Sequence, residues 1–106
     1  MAFQIGGSLL EACVLAILKG GATYGYKLTQ EVREAIEVSE STLYPVLRRL
    51  QKEGYLETFD KPYQGRNRRY YRITPIGEAR VSEEIAEWKT YKERVDHVLV
   101  GGNKDE

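Results

Sequence analysis

The sequence is short of the residues from which catalytic and metal centres are built. Among its 106 residues there is one cysteine, Cys13, and one histidine, His97. A lone cysteine excludes an intrachain disulfide and fits a reducing compartment; Cys13 itself reads as a small core residue. One histidine supports neither a His-based metal site nor a nucleophile–base–acid triad. There is no G-x-S-x-G element, and pairs such as Glu83-Glu84 resemble a solvated helix surface more than acid–base machinery. The stretch Gly20 to Lys27 fails as a phosphate loop, because Tyr26 separates Gly25 from Lys27 and no Ser or Thr follows the lysine. An enzyme, a metal or a cofactor is therefore not expected.

Long apolar runs are also missing. The longest, such as Ala12 to Leu18, are too short to cross a bilayer, so no membrane partner is expected. No basic-then-apolar leader opens the chain, and the expected location is cytoplasmic. At 42% hydrophobic and 30% charged residues the composition is that of one globular domain.

An excess of positive charge is absent too. Lys and Arg number 16, as do Asp and Glu, for a formal net charge of zero. That counts against nucleic-acid binding, but distribution matters more than the sum. From Lys61 to Arg72 the charged residues are Lys61, Arg66, Arg68, Arg69 and Arg72, without one acid. The acids gather at Glu31, Glu34, Glu37 and Glu40, and again at Glu78, Glu83, Glu84 and Glu87. A local patch is what a phosphate senses within a Debye length of about 10 Å.

The periodicities predict helix, helix, helix, strand, strand, long helix. The first helix starts near a Ser8 cap and runs to about Lys19, with Leu9, Ala12, Cys13, Ala16 and Ile17 among its apolar positions. It is oily nearly all round, as in a buried helix. The second starts near Thr23 to Gly25, with Leu28, Val32 and Ile36 at helical spacing. Ser39 or Ser41 caps the third, whose inward face is Leu43, Val46, Leu47 and Leu50 and whose end is marked by Gly54. Pro45 is expected in its first turn. Strands are expected over 55–59 and 69–73, with Pro62, Gly65 and Asn67 supplying the turn. Thr74-Pro75 opens the last helix, which runs to about Val100. The expected fold is mainly α, with a minor α+β character. It is a winged helix-turn-helix over 8–73 with a two-stranded wing, followed by a single C-terminal dimerisation helix over 74–100. Residues 1–7 and 101–106 are expected to be flexible.

The run Thr42-Leu43-Tyr44-Pro45-x-Leu47-x-Arg49-Leu50, then Gly54-Tyr55-Leu56, and then Tyr71-Arg72-Ile73-Thr74-x-x-Gly77 resembles the PadR family of bacterial transcriptional regulators. Tyr24-Gly25-Tyr26-x-Leu28 also matches that family's second helix. These pieces span most of residues 9–77 and are specific in combination. The one long helix containing Trp88 is similar to the short subfamily, some members of which sense flat aromatic drugs. The resemblance implies a homodimeric repressor on a pseudo-palindromic double-stranded operator.

A recognition helix needs short polar groups at its start and long basic groups farther on. Ser41, Thr42, Tyr44, Arg48 and Arg49 supply them, against the blander interpretation of a solvated polar face. In the wing, Lys61, Arg66, Arg68 and Arg69 suit phosphate or minor-groove contact, although Arg69 and Arg72, lying in a strand, also fit structural roles. Tyr24 and Lys27 sit where free backbone N–H groups would meet a phosphate; of Tyr24 and Tyr26, one is expected to pack and the other to touch DNA. Val81, Ile85, Trp88, Tyr91, Val95, Val98 and Leu99 form one stripe on the last helix, too wide for a small head to cover. Ile85, Trp88, Tyr91, Lys92, Val95 and Leu99 are thus the expected dimer and ligand residues, and a small planar aromatic effector is the expected further partner. Two other classes fit the composition: a winged-helix protein-interaction module without DNA binding, encouraged by the neutral charge balance, and a small-molecule enzyme, opposed by the missing nucleophile–base pair.

Overall fold

A computed structural model describes residues 5–101. Four helices and three strands follow in the order α1 (Gly7–Lys19), β1 (Thr23–Tyr24), α2 (Gly25–Ala35), α3 (Glu40–Lys52), β2 (Leu56–Tyr63), β3 (Arg66–Ile73) and α4 (Pro75–Leu99). The sheet is antiparallel with β3 in the centre, between β1 and β2. This is the winged helix-turn-helix expected from the sequence, with one strand more than the periodicity shows. Among the described residues no helix is long and apolar enough to cross a membrane.

The core is the meeting of three helices over the base of the hairpin. Leu10, Val14, Leu15 and Leu18 of α1 face Leu28 and Val32 of α2 and Leu43, Val46, Leu47 and Leu50 of α3. Leu56 and Ile73, a register pair, and Val81 of α4 close it. For α1 the choice of inward face differs from expectation. Leu9, Ala12 and Cys13 are only half-buried and Ala16 is exposed. A helix apolar on nearly every side carries no periodic mark of which side turns inward. Ser8 does not cap it either: the N-cap is Gly6, which offers no side chain. Of the segment 1–7 expected to be flexible, Ile5 packs on the core and Gly7 opens α1; residues 1–4 and 102–106 lie outside the described residues. Burial pushes the Cys13 thiol up.

The cap of α3 is Ser39, whose Oγ accepts from the Thr42 N–H at 3.2 Å. Helix α3 thus begins at Glu40, and Pro45 stands in the second turn, not the first. Its missing N–H leaves the Ser41 carbonyl without an intrahelical donor, and both residues are exposed. The wing is longer than expected. β2 and β3 stay in register from Leu56↔Ile73 out to Tyr63↔Arg66, and only Gln64-Gly65 turns. Both have positive φ, 50° and 79°, as a two-residue turn matched to strand twist requires. Pro62 and Asn67 are therefore a strand pair; β2 is an edge strand, where a proline costs no ladder bond.

The tightest joint is where α4 leaves the head. Thr74 Oγ1 accepts from the Gly77 N–H at 3.1 Å and donates to the Gly54 carbonyl at 2.6 Å. The Thr74 N–H donates to the Tyr55 carbonyl at 3.1 Å. A Cβ at Gly77 would lie 2.0 Å from that same carbonyl oxygen and 2.9 Å from Ile73 Cγ1. Beyond this joint Arg80 donates to Glu84 at 2.9 Å and to the Tyr55 hydroxyl at 2.7 Å. Past Ile85, α4 projects away from the core. The Cα radius of gyration is 16.3 Å, against about 13 Å for a compact chain of this size, and the longest extent is 63 Å.

Gly77→Ala is expected to lower stability by about 1–3 kcal/mol or more, because the clash is with backbone that cannot rotate away; the urea midpoint measures it, and an unchanged midpoint would show that the joint can open at no cost. The Cys13 thiol is expected to react with a soluble disulfide reagent at neutral pH more slowly in the folded protein than in urea.

Candidate nucleic-acid interface

Three elements carry the polar surface of the head, from which α4 projects as a rod. On α3 the exposed residues Ser41, Pro45, Arg48 and Lys52 follow helical spacing, with Thr42 and Arg49 beside them. Ser39 Oγ lies 3.0 Å from both Ser41 Oγ and Thr42 Oγ1, so the cap also orders the first two hydroxyls of that face. Tyr44 is half-buried and packs on the core. Arg48 has no acidic partner among the described residues. Arg49 differs: its Nε donates to Glu11 Oε2 of α1 at 2.6 Å, and Glu11 is largely shielded from solvent. Arg49 is thereby committed to holding α1 and α3 together, a partnership that no local pattern reveals.

The wing supplies the second set of cations. Burial pushes the Tyr71 phenol up, Arg69 pulls it back, Tyr44 adds to the rise and Arg48 opposes it. Tyr71 itself is half-buried and packs on the core. Arg69 has Asp60 at 3.6 Å, but both side chains are well exposed, so the pair is weak and exchangeable. Arg72 lies 2.9 Å from Glu57 and over the Phe59 ring, a structural position. Arg66, next to the turn, is exposed without an acidic partner among the described residues, and Lys61 lies 5.1 Å from the centre of the Tyr70 ring. Arg68 is only partly exposed, and its guanidinium carbon is 3.8 Å from the Tyr24 ring centre and 3.5 Å from that of Tyr63.

The start of α2 completes the cleft. Tyr24 packs edge-on against Tyr70, 5.8 Å between ring centres, while Tyr26 is 61% exposed and its hydroxyl accepts from Gln30. Lys27 is exposed alongside. Of the two tyrosines it is Tyr24, singled out in the sequence for DNA contact, that packs. Tyr24, Gly25 and Tyr26 face Arg66, Arg68 and Arg69 across an open cleft of about 760 Å³.

A second candidate surface lies on the rod. Trp88 is 40% exposed and Tyr91 62%, their ring centres 6.4 Å apart. With Leu9 and Ala12 of α1, and with Glu84 and Glu87, they border a shallow cleft of about 320 Å³. Ile85 is half-buried against the core, Val95 half-buried, and Leu99 exposed. Lys92 is held by Asp96 at 3.3 Å one turn on. Leu9 and Ala12 of α1 thus share one cleft with Trp88 and Tyr91 of α4, and Val98 and Leu99 stand exposed farther along the helix. Among the described residues no group of three or more His, Cys, Asp or Glu is placed to hold a metal.

A family model for the transcriptional regulator PadR-like family matches residues 14–83. A crystal structure of a Streptococcus mutans protein aligns over 100% of both chains, with a TM-score of 0.87 and 36% identity. A PadR-like transcriptional regulator from Bacillus cereus aligns with a TM-score of 0.79 and 34% identity over 87% of this chain and 92% of that one. A transcriptional regulator of Mycobacterium tuberculosis is 45% identical over 62 residues, 58% of each protein. From the core of α1 to the first turns of α4, this chain belongs to the PadR-like family of transcriptional regulators.

Proposed function

We propose that this regulator is a cytoplasmic, homodimeric, sequence-specific repressor that binds double-stranded DNA and is relieved by a small planar aromatic ligand. One observation carries the DNA reading: the start of α2 faces the arginines of the wing across one open cleft. With the exposed face of α3, elements distant in sequence would thereby offer cations and N–H groups to one duplex. In this reading α3 enters the major groove with Ser41, Thr42 and Arg48 toward the bases. Arg66, Arg69, Lys61 and Lys27 neutralise phosphates. Arg49 supports α3 through Glu11 in place of the base contact expected from its position in the sequence.

The dimer reading rests on the apolar surface of α1 and α4. Val98 and Leu99 are 77% and 72% exposed at the end of the rod, and Trp88 and Tyr91 lie nearer its base. A second copy offers an identical surface, and a two-fold axis through it would present paired heads to half-sites about 34–36 Å apart. A flat ligand between the Trp88 rings would act only through unequal affinity for head spacings that fit and do not fit the operator. The neutral overall charge favours the other class, a protein-interaction module without DNA binding; selection of duplexes from a random pool separates the two, since that module would enrich none.

Arg48→Ala is expected to weaken binding to the selected duplex by about 1–3 kcal/mol and relax preference at one base pair, while Arg66→Ala lowers the salt slope by about one with little change in preference. Fluorescence anisotropy across a salt series reads both, and full affinity in both variants would reject the assignment. Leu99→Glu is expected to shift sedimentation toward monomer. Trp88 is the only tryptophan, so saturable quenching of its emission by a planar aromatic compound would report the slot, and linear quenching would dismiss it.

A further inference from the structure

We infer that Arg68 is a positioning residue: clasped between the Tyr24 and Tyr63 rings, it sets the wing against the start of α2 and does not itself hold a phosphate. Its effect on DNA rests on the function proposed above, but the clasp is a property of the free protein.

The sheet order makes the clasp. Arg68 lies on the central strand, and Tyr24 and Tyr63 come from the strands on either side. In register, Lys61 stands opposite Arg68 and Tyr63 opposite Arg66, so Tyr63 reaches Arg68 diagonally on the same face. Tyr24 stands opposite Tyr70 and reaches Arg68 from the other side. The guanidinium carbon lies 3.8 and 3.5 Å from the two ring centres, with the Tyr70 ring 5.7 Å away, inside the range of cation–aromatic attraction. A planar cation fits between two flat rings, and an ammonium on a flexible stem does not.

The surroundings separate Arg68 from its neighbours. Arg69 and Arg72 have carboxylates and Arg66 is open to solvent, whereas Arg68 is partly covered and its Nε is buried without an acceptor. Leaving such a donor unpaired costs its lost hydration, and attraction of the cation to the two ring faces offsets that cost. The head needs this tie. β1 is two residues long and meets β3 at only two positions, Thr23↔Tyr71 and Tyr24↔Tyr70. Residues 60–67 of the wing are all exposed. Among the described residues the Arg68–Tyr24 stack is thus the outermost ring contact between wing and body, and α2 starts one residue after Tyr24.

Two measurements test the clasp. In the free protein, amide exchange at Thr23 and Tyr71, the pair that joins β1 to β3, is expected to quicken in Arg68→Met and Tyr63→Leu and to stay at the wild-type rate in Tyr63→Phe, which keeps the ring. Unchanged exchange in Arg68→Met would overturn the clasp whether or not the protein binds DNA. On a duplex selected by the wild type, Arg68→Met and Tyr63→Leu are each expected to lose about tenfold in affinity, the order of a partly desolvated cation–aromatic contact. The double variant is expected to lose no more than either alone, with the salt slope preserved. Arg68→Lys should resemble Arg68→Met. A slope lowered by about one, additive losses, or recovery of affinity with lysine would instead make Arg68 a phosphate contact.

Discussion

Everything in this molecule is hung from one close approach, that of the Gly77 α-carbon to the Tyr55 carbonyl. No side chain fits there, and the approach brings the first turn of α4 down onto the corner where α3 gives way to β2. Thr74 stitches the same corner, accepting from Gly77 and donating to the Gly54 carbonyl. Helix α3, the wing and α4 therefore meet within a few residues. The direction in which the rod leaves is set by backbone atoms, which have fewer ways to yield than side chains. Arg80 extends the joint by one turn through Tyr55 and Glu84.

The parts of the fold that are legible from residues alone are those with a one-sided apolar pattern or a strong capping residue. Helix α3 has both: Leu43, Val46, Leu47 and Leu50 on one side and a serine at its start, which the structure fixes as Ser39 rather than Ser41. Thr74-Pro75 marks the start of α4 for the same reason. The failures also have physical causes. The outer wing has no buried face, so residues 60–67 alternate without any apolar signal and the strands look shorter than they are. β1 is too short to show a period and exists only because β3 lies beside it. Helix α1 has apolar residues on both sides, one for the core and one left uncovered.

For the candidate interface, residue types were readable and partnerships were not. That arginines line the wing and α3 follows from composition. That Arg49 belongs to Glu11, Arg72 to Glu57 and Arg68 to two tyrosines does not, because each partner lies on another element. Tyr24 and Tyr26 show the same limit. Their spacing says that they point in different directions, and only the sheet decides that Tyr24 is the one covered, leaving Tyr26 to solvent.

The loose pairing of Arg69 with Asp60 has a thermodynamic corollary. A guanidinium that already has a carboxylate must exchange one anion for another when a duplex arrives, and the abandoned carboxylate draws a cation from solution. On the DNA reading, part of the entropy gained when counterions leave the nucleic acid is thus given back at the protein. Grip on arbitrary duplex is weakened more than grip on a cognate site, where groove contacts add their share. Zero net charge then favours discrimination over raw affinity, sparing the protein from being soaked up by the bulk of the chromosome.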